Sequence, residues 1–128
     1  GISIKVSGDK NATINCDFMW EVEAISNIIK NSIEHIDNDG FVEINYTKNK
    51  AYSRILIRDN GVGIDSEDLP HIFDRFYKGK NTSRDSVGIG LALSKSIIEK
   101  DNGSISVKST PNIGTIFTIK FFEWGLYE

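Results

Sequence analysis

At 128 residues, with 39% hydrophobic and 26% charged side chains, the chain has the length for one sizeable core but not two, and the composition of an ordinary globular domain. A net charge of −3 gives no support to binding nucleic acid or an anionic membrane, and a single cysteine, Cys16, excludes an internal disulfide or a cysteine-built metal cage. No apolar run approaches the ~20 residues of a membrane span, and no signal peptide opens the chain. It starts on a strand-like run behind Gly1 rather than a Met, as expected of a piece of a longer protein.

"ISIKVSGDKNATINCD" alternates apolar and polar residues on both sides of a Gly-Asp-Lys-Asn turn signal, which predicts two short strands, Ile2–Val6 and Thr13–Cys16. Asp17 is placed to cap a helix over Phe18–Ile36, with Val22, Ile25, Ile29, Ile33 and Ile36 as its apolar side. Asn27, Asn31 and His35 follow at i, i+4 and i+8, on one face opposite the isoleucines. A neutral amide oxygen is a hard ligand suited to Mg²⁺ beside phosphate oxygens. A solvated polar face is the plainer reading, and the helix by itself favours it.

"DNDG" ends that helix, and "FVEINYTKN" and "AYSRILIRD" predict an antiparallel hairpin. Its second strand delivers Asp59 to the turn "NGVG". An ionised Asp can only accept hydrogen bonds, so it suits an exocyclic amine such as that of adenine and repels the carbonyl oxygen of guanine. A Gly-rich turn that merely caps a strand is the alternative, and "NG" alone supports it. The polar stretch Ile64–Val87 is too long for a plain connection and reads as a functional lid, with Ser66–Val87 expected to be mobile when its site is empty. Within it, Phe73 and Phe76 read as packing residues and His71 as exposed, without a carboxylate partner.

"GIGLALSKSIIEKD" predicts a second helix with Leu91, Leu93, Ile97 and Ile98 as its apolar side and Gly103 as its stop. Glycines at its start leave backbone N–H groups that suit a phosphate, a weak signal alone. "GSISVKSTPNIGTIFTIKFFE" predicts a closing hairpin. Few helices and hairpin-connected strands argue for an α+β fold: a two-layer sandwich with a mixed, mostly antiparallel sheet and helices on one face. Trp20 and Trp124 read as anchors or as part of an interface, and Cys16 as a small core residue.

The order of these motifs resembles the ATP-binding catalytic domain of sensor histidine kinases, in the wider group that includes DNA gyrase, Hsp90 and MutL. The resemblance runs from about Phe18 to Phe122. "NIIKNSIEH" (27–35) matches the N box, "DNGVG" (59–63) the first glycine box, and "IFDRFYKGK" (72–80) the F box. "GIGLAL" (88–93) matches the second glycine box and "GTIF" (114–117) the last. The F box separates this family from gyrase, Hsp90 and MutL.

The resemblance implies that Asp59 accepts the adenine amine, that Gly63 lets the base lie against backbone, and that Thr115 lies near the adenine. It makes Asn31 the Mg²⁺ ligand, with Asn27 near the phosphates and His35 beside the nucleotide. Tyr77 and Lys78 would pack near the lid and reach the phosphates, and Gly88 and Gly90 would meet them through backbone. Gly61, Ile64, Lys80, Ile89 and Leu91 complete the implied nucleotide-binding set, and Arg84 is a weaker phosphate candidate.

Residues 1–128 would then form one ATP-binding catalytic domain using ATP and Mg²⁺. The implied reaction moves the γ-phosphoryl group to a histidine on a separate dimerisation domain, with a response regulator downstream and no nucleic-acid partner. The isolated domain would be a monomer, and the full-length protein a homodimer, membrane-bound, with this domain in the cytoplasm. Three positions depart from the family pattern: Glu34 stands where Lys is frequent, Ser86 replaces a hinge Gly, and Asn112 replaces a Gly in the last box. Lys78 or Lys80 would compensate for Glu34, and Asn tolerates positive φ. The other readings are a serine kinase of the anti-sigma-factor type on the same fold, and a degenerate, nucleotide-free binding module. The F box argues against the first, and the joint presence of Asn31, Asp59, Gly61 and Gly63 against the second.

Overall fold

The computed structural model describes residues 1–14, 16–37, 39–77 and 90–123. Strand β1 (Ile2–Gly8) leads through a loop to helix α1 (Phe18–Glu34), then to strands β2 (Gly40–Lys48) and β3 (Tyr52–Asp59). A single 3₁₀ turn (Leu69–His71) lies in the following segment. Helix α2 (Gly90–Lys100) and strands β4 (Gly103–Thr110) and β5 (Gly114–Phe122) complete the fold. The sheet has five strands in the order β1-β2-β3-β5-β4. β1 pairs parallel to β2, and the other three pairings are antiparallel.

The parallel pair corrects one expectation. Parallel neighbours need a crossover rather than a tight turn, and α1 is that crossover. Thr13, Ile14 and Cys16 therefore lie in no strand, although their alternation predicts one. Their stretch is held by side chains instead: Lys48 Nζ donates to the Thr13 carbonyl at 3.0 Å, and Ser53 Oγ donates to it at 3.4 Å.

The register aligns Val42 with Asp59, Ile57 with Phe117, and Ile55 with Ile119. These residues share one buried face of the sheet, and Ala24, Ile28, Ile97 and Ile98 of the two helices pack into the same core. The architecture is the expected α+β two-layer sandwich. Each fully buried Ile or Phe contributes about 1.5–3 kcal/mol by leaving water, which makes this face the main source of stability.

Asp17 caps α1 by accepting the Trp20 amide at 3.4 Å, while its own amide donates to Asp101 Oδ2 at 3.1 Å, just past α2. The buried stripe of α1 is Glu21, Ala24, Ile28 and Ser32, continued by His35 and Ile36. Ile25, Ile29 and Ile33 flank it, and Val22 is 48% exposed, so the stripe is rotated from the predicted one. Small residues win the centre because α2 comes close: Ser94 Oγ donates to the Ala24 carbonyl at 2.7 Å. For the same reason Ser94 is buried; Ile97 and Ile98 are buried and Leu91 packs on the core as expected for α2, while Leu93 is exposed. The residue that turns the chain after α2 is Asn102 at φ 61°, not Gly103.

Candidate functional site

Asp59 is the last residue of β3 and stands opposite Thr115 of β5. Directly opposed residues of an antiparallel pair point to the same face, and both are 3% exposed. Asp59 Oδ1 accepts the Gly61 amide at 2.9 Å, the local bond an Asp makes when it starts a turn. Its Oδ2 is buried and has no hydrogen-bond partner, and neither has the buried Ser32 hydroxyl. Burial raises the Asp59 pKa above the usual carboxylate value. The Gly61 amide, the Ser32 hydroxyl, His35 and the Thr115 amide oppose that rise, although Ser32 does not reach hydrogen-bond geometry.

The turn after Asp59 is fastened on two sides. The Val62 amide donates to the His35 carbonyl at 2.7 Å, and the Asn112 amide donates to the Val62 carbonyl at 2.7 Å. The Ile64 amide donates to Ser109 Oγ at 2.8 Å. A Cβ on Gly61 would overlap the His35 carbonyl. One on Gly63, at φ 76°, would overlap the Thr110 carbonyl. The protein's own backbone thus already requires both glycines. Asn112 adopts φ 65°, so it takes the left-handed conformation of the glycine it replaces. Gly90 differs: among the described residues a Cβ there would meet only Asn27, at 3.8 Å, so packing against them does not require that glycine.

Asn27 and Asn31 are half-buried on one flank of α1, across the stripe from Ile25, Ile29 and Ile33. His35 does not share their exposure. It is buried at the end of the helix, where Nδ1 meets the Asn31 carbonyl at 2.8 Å and therefore carries the proton. Glu34 is exposed, as an acidic substitute for a frequent Lys can be on this flank.

In the F box, the Tyr77 hydroxyl donates to the buried Asp68 carboxylate and its ring stacks on His71 at 5.2 Å. His71 Nδ1 meets Asp74 Oδ2 at 2.9 Å, so the expectation that His71 has no carboxylate partner is corrected. Phe73 packs edge-on against Phe117 at 6.4 Å, under Lys95 at 5.4 Å. Phe76 is 64% exposed at φ 66° with Arg75 over its ring, and is not the packing residue expected. Cys16 is partly buried beside Glu21, Asp17 and Asp101, outside the core.

Asn27, Asn31, His35, Asp59, Gly61, Gly63, Ile64, Gly90, Leu91 and Thr115 are all described, and they fall on the C-terminal half of α1 and its cap, the end of β3 and the turn after it, the start of α2 and the start of β5. Lys78, Lys80, Arg84, Ser86, Gly88, Ile89 and Trp124 lie outside the described residues, as do residues 78–87 of the expected lid. Ser32 and Ser109 were not foreseen. Each is a serine at a position whose periodicity calls for an apolar side chain: Ser32 continues Ala24 and Ile28, and Ser109 continues Ile105 and Val107. That mismatch was the available signal.

An apolar cavity of about 240 Å³ lies beneath the Ala12–Ile14 loop, lined by Ile14, Ile25, Ile44, Tyr46 and Ile55. Arg54 also lines it and brings one orphaned donor, its Nε, whereas Asp59 Oδ2 and the Ser32 hydroxyl are both orphaned, which makes Asp59 the stronger candidate site. Among the described residues no three His, Cys, Asp or Glu side chains gather as a metal cage, and no helix is long and apolar enough to cross a membrane.

Comparison with known proteins assigns the class: an α+β sandwich of ATPase type. Residues 19–124 match the model of the "Histidine kinase-, DNA gyrase B-, and HSP90-like ATPase" family, and the chain belongs to that family. It is 33% identical over 118 residues to sensor histidine kinase YvrG of Bacillus subtilis, covering 91% of this chain and 20% of YvrG. It is 39% identical over 99 residues to heme sensor protein HssS of Staphylococcus saprophyticus, covering 77% of this chain and 21% of HssS. The chain thus spans about a fifth of the length of these relatives. The structure of the mycobacterial sensor histidine kinase MprB superposes with a TM-score of 0.82 at 22% identity, over 94% of this chain and 83% of that one, a likeness of fold.

Proposed function

We propose that residues 1–128 are the single ATP-binding catalytic domain of a sensor histidine kinase, and that the domain delivers the γ-phosphoryl group to a histidine on a dimerisation domain elsewhere in the same protein. The observation that carries this reading is the orphaned Asp59 Oδ2. A buried carboxylate oxygen without a partner costs free energy unless a ligand supplies a donor, and an adenine amine is such a donor. Asp59 fixes the base through its one unpaired oxygen, and Thr115 borders it.

At the other end, the start of α2 offers backbone N–H groups to phosphate, with the space at Gly90 left open beside Asn27. The donor set also fits Mg²⁺: one amide oxygen from Asn31 with the remaining positions filled by phosphate oxygens and water, since Mg²⁺ favours few protein ligands and retains water. When bound, the ion neutralises charge on the phosphates. The protein's part in transfer is then positioning and charge stabilisation. His35 is buried at the end of α1 and does not suit the acceptor role. His71 is exposed with Asp74 on its Nδ1, and its exclusion as the acceptor rests on the labelling test below.

The partners implied are the protein's own phosphoacceptor domain, a second copy of the full-length chain and a response regulator. The domain itself faces the cytoplasm of a membrane-bound sensor.

The test is incubation with γ-labelled ATP. The chain alone should stay unlabelled, and a dimerisation domain from the same protein added in trans should acquire acid-labile label. Asn31→Ala should abolish the Mg²⁺ dependence of binding and transfer. Acid-labile label on the isolated chain, lost on replacing His35 or His71, would overturn the assignment.

A further inference from the structure

Ser109 touches both halves of the site, and counting hydrogen bonds at its oxygen fixes the direction of the neighbouring hydroxyl. A serine hydroxyl has one hydrogen and two lone pairs. Ser109 Oγ lies 2.8 Å from the Ile64 amide nitrogen, 3.1 Å from the Gly114 carbonyl oxygen and 2.9 Å from Thr115 Oγ1. The amide can only donate and the carbonyl can only accept. Ser109 therefore spends its hydrogen on Gly114 and one lone pair on Ile64. Its other lone pair must take the Thr115 hydroxyl hydrogen. Thr115 Oγ1 is left with lone pairs and nothing to donate.

Thr115 stands opposite Asp59, whose Oδ2 is also an acceptor without a donor. Two buried acceptors side by side demand a donor from whatever enters and penalise a carbonyl at that point. We propose that Ser109 is a positioning residue that sets base specificity by holding Thr115 as an acceptor. The effect rests on the nucleotide reading above and acts through Thr115, not by contact with the ligand.

The experiment measures dissociation constants for ATP and for inosine triphosphate, which carries a carbonyl oxygen in place of the amine and an N1–H in place of the N1 lone pair. The readout is therefore the change in their ratio between variants, where the N1 difference is common to all. The proteins are the unmutated chain, Ser109→Ala, Thr115→Val and the double variant, each checked for folding by circular dichroism. In Ser109→Ala the Thr115 hydroxyl is free to turn and donate. Inosine triphosphate should then gain on ATP by about three- to tenfold, the worth of one hydrogen bond. On the Thr115→Val background the same substitution should leave the ratio unchanged.

A purely structural Ser109 would weaken both nucleotides alike. A constant ratio in folded Ser109→Ala, or a shift that survives in the double variant, overturns the proposal. Failure of the unmutated chain to bind ATP, or equal binding of both nucleotides, overturns the nucleotide reading instead. Should Ser109→Ala not fold, Ser109→Cys keeps the volume with a weaker donor and carries the same ratio test.

Discussion

Asp59 combines a buried position with an oxygen that nothing in the protein satisfies. Asp59→Asn keeps the shape and removes the charge, and losing a charge-assisted hydrogen bond costs about 1.5–3 kcal/mol. ATP affinity should fall roughly 10- to 150-fold by calorimetric titration, with little change in melting temperature. Glu21 is a second buried carboxylate, 3% exposed, whose two oxygens receive no hydrogen bond from an N–H or hydroxyl group. Burial, then a hydrogen bond with Asp101, then the charges of Asp101 and Asp17, push its pKa up to about 8 from 4.5. The folded chain thus keeps a proton that the unfolded chain releases between those values. This group's contribution to stability is full below about pH 4.5 and is lost as pH rises towards about 8. Glu21→Gln should flatten the urea midpoint across that window, and an unchanged slope would show that Glu21 does not hold the proton. Asp59 was legible in the sequence because a strand, an Asp and two glycines fall in order. Glu21, Ser32 and Ser109 were not, because burial of a polar residue depends on what packs opposite it.

α1 has two duties. It is the crossover that makes β1 and β2 parallel, and the carbonyl of His35 at its C-terminal cap holds the turn after Asp59. Gly63→Ala should therefore destabilise the fold by about 1–3 kcal/mol, because φ 76° strains any Cβ and the Thr110 carbonyl occupies its space. Gly90→Ala, with room for the methyl group, should melt within a degree or two of the unmutated chain. Equal losses from both would refute the account of the turn. Most elements were legible from period and turn signals. Thr13–Cys16 alternates like a strand, but it lies in the crossover from β1 to β2 and is tied to β2 and β3 by the side chains of Lys48 and Ser53 instead of a ladder. The stripe of α1 is rotated from the predicted one, and on α2 only Leu93 departs from it. The close approach of the helices places Ala24, Ser32 and Ser94 on their buried sides.

For the chain as a unit, the sheet's inner face binds both helices and leaves one end of the sandwich to the site. There the turn after β3, the end of β4, the β4–β5 turn and the end of α1 meet through the bonds of Val62, Ile64 and Asn112, and the start of α2 lies beside Asn27. The α+β class and the family were both readable from motif order, because the boxes sit at these junctions. The roles of Lys78, Lys80, Gly88 and Ile89 rest on the resemblance. The central claim is that this end of the fold selects an adenine nucleotide through buried acceptors. Calorimetric titration of the unmutated chain with ATP and with GTP, each in excess Mg²⁺, tests it most directly. ATP should saturate a single site, with GTP weaker by at least about tenfold, the discrimination expected when a donor is replaced by an acceptor against Asp59. Absence of ATP binding, or equal affinity for the two nucleotides, would contradict it.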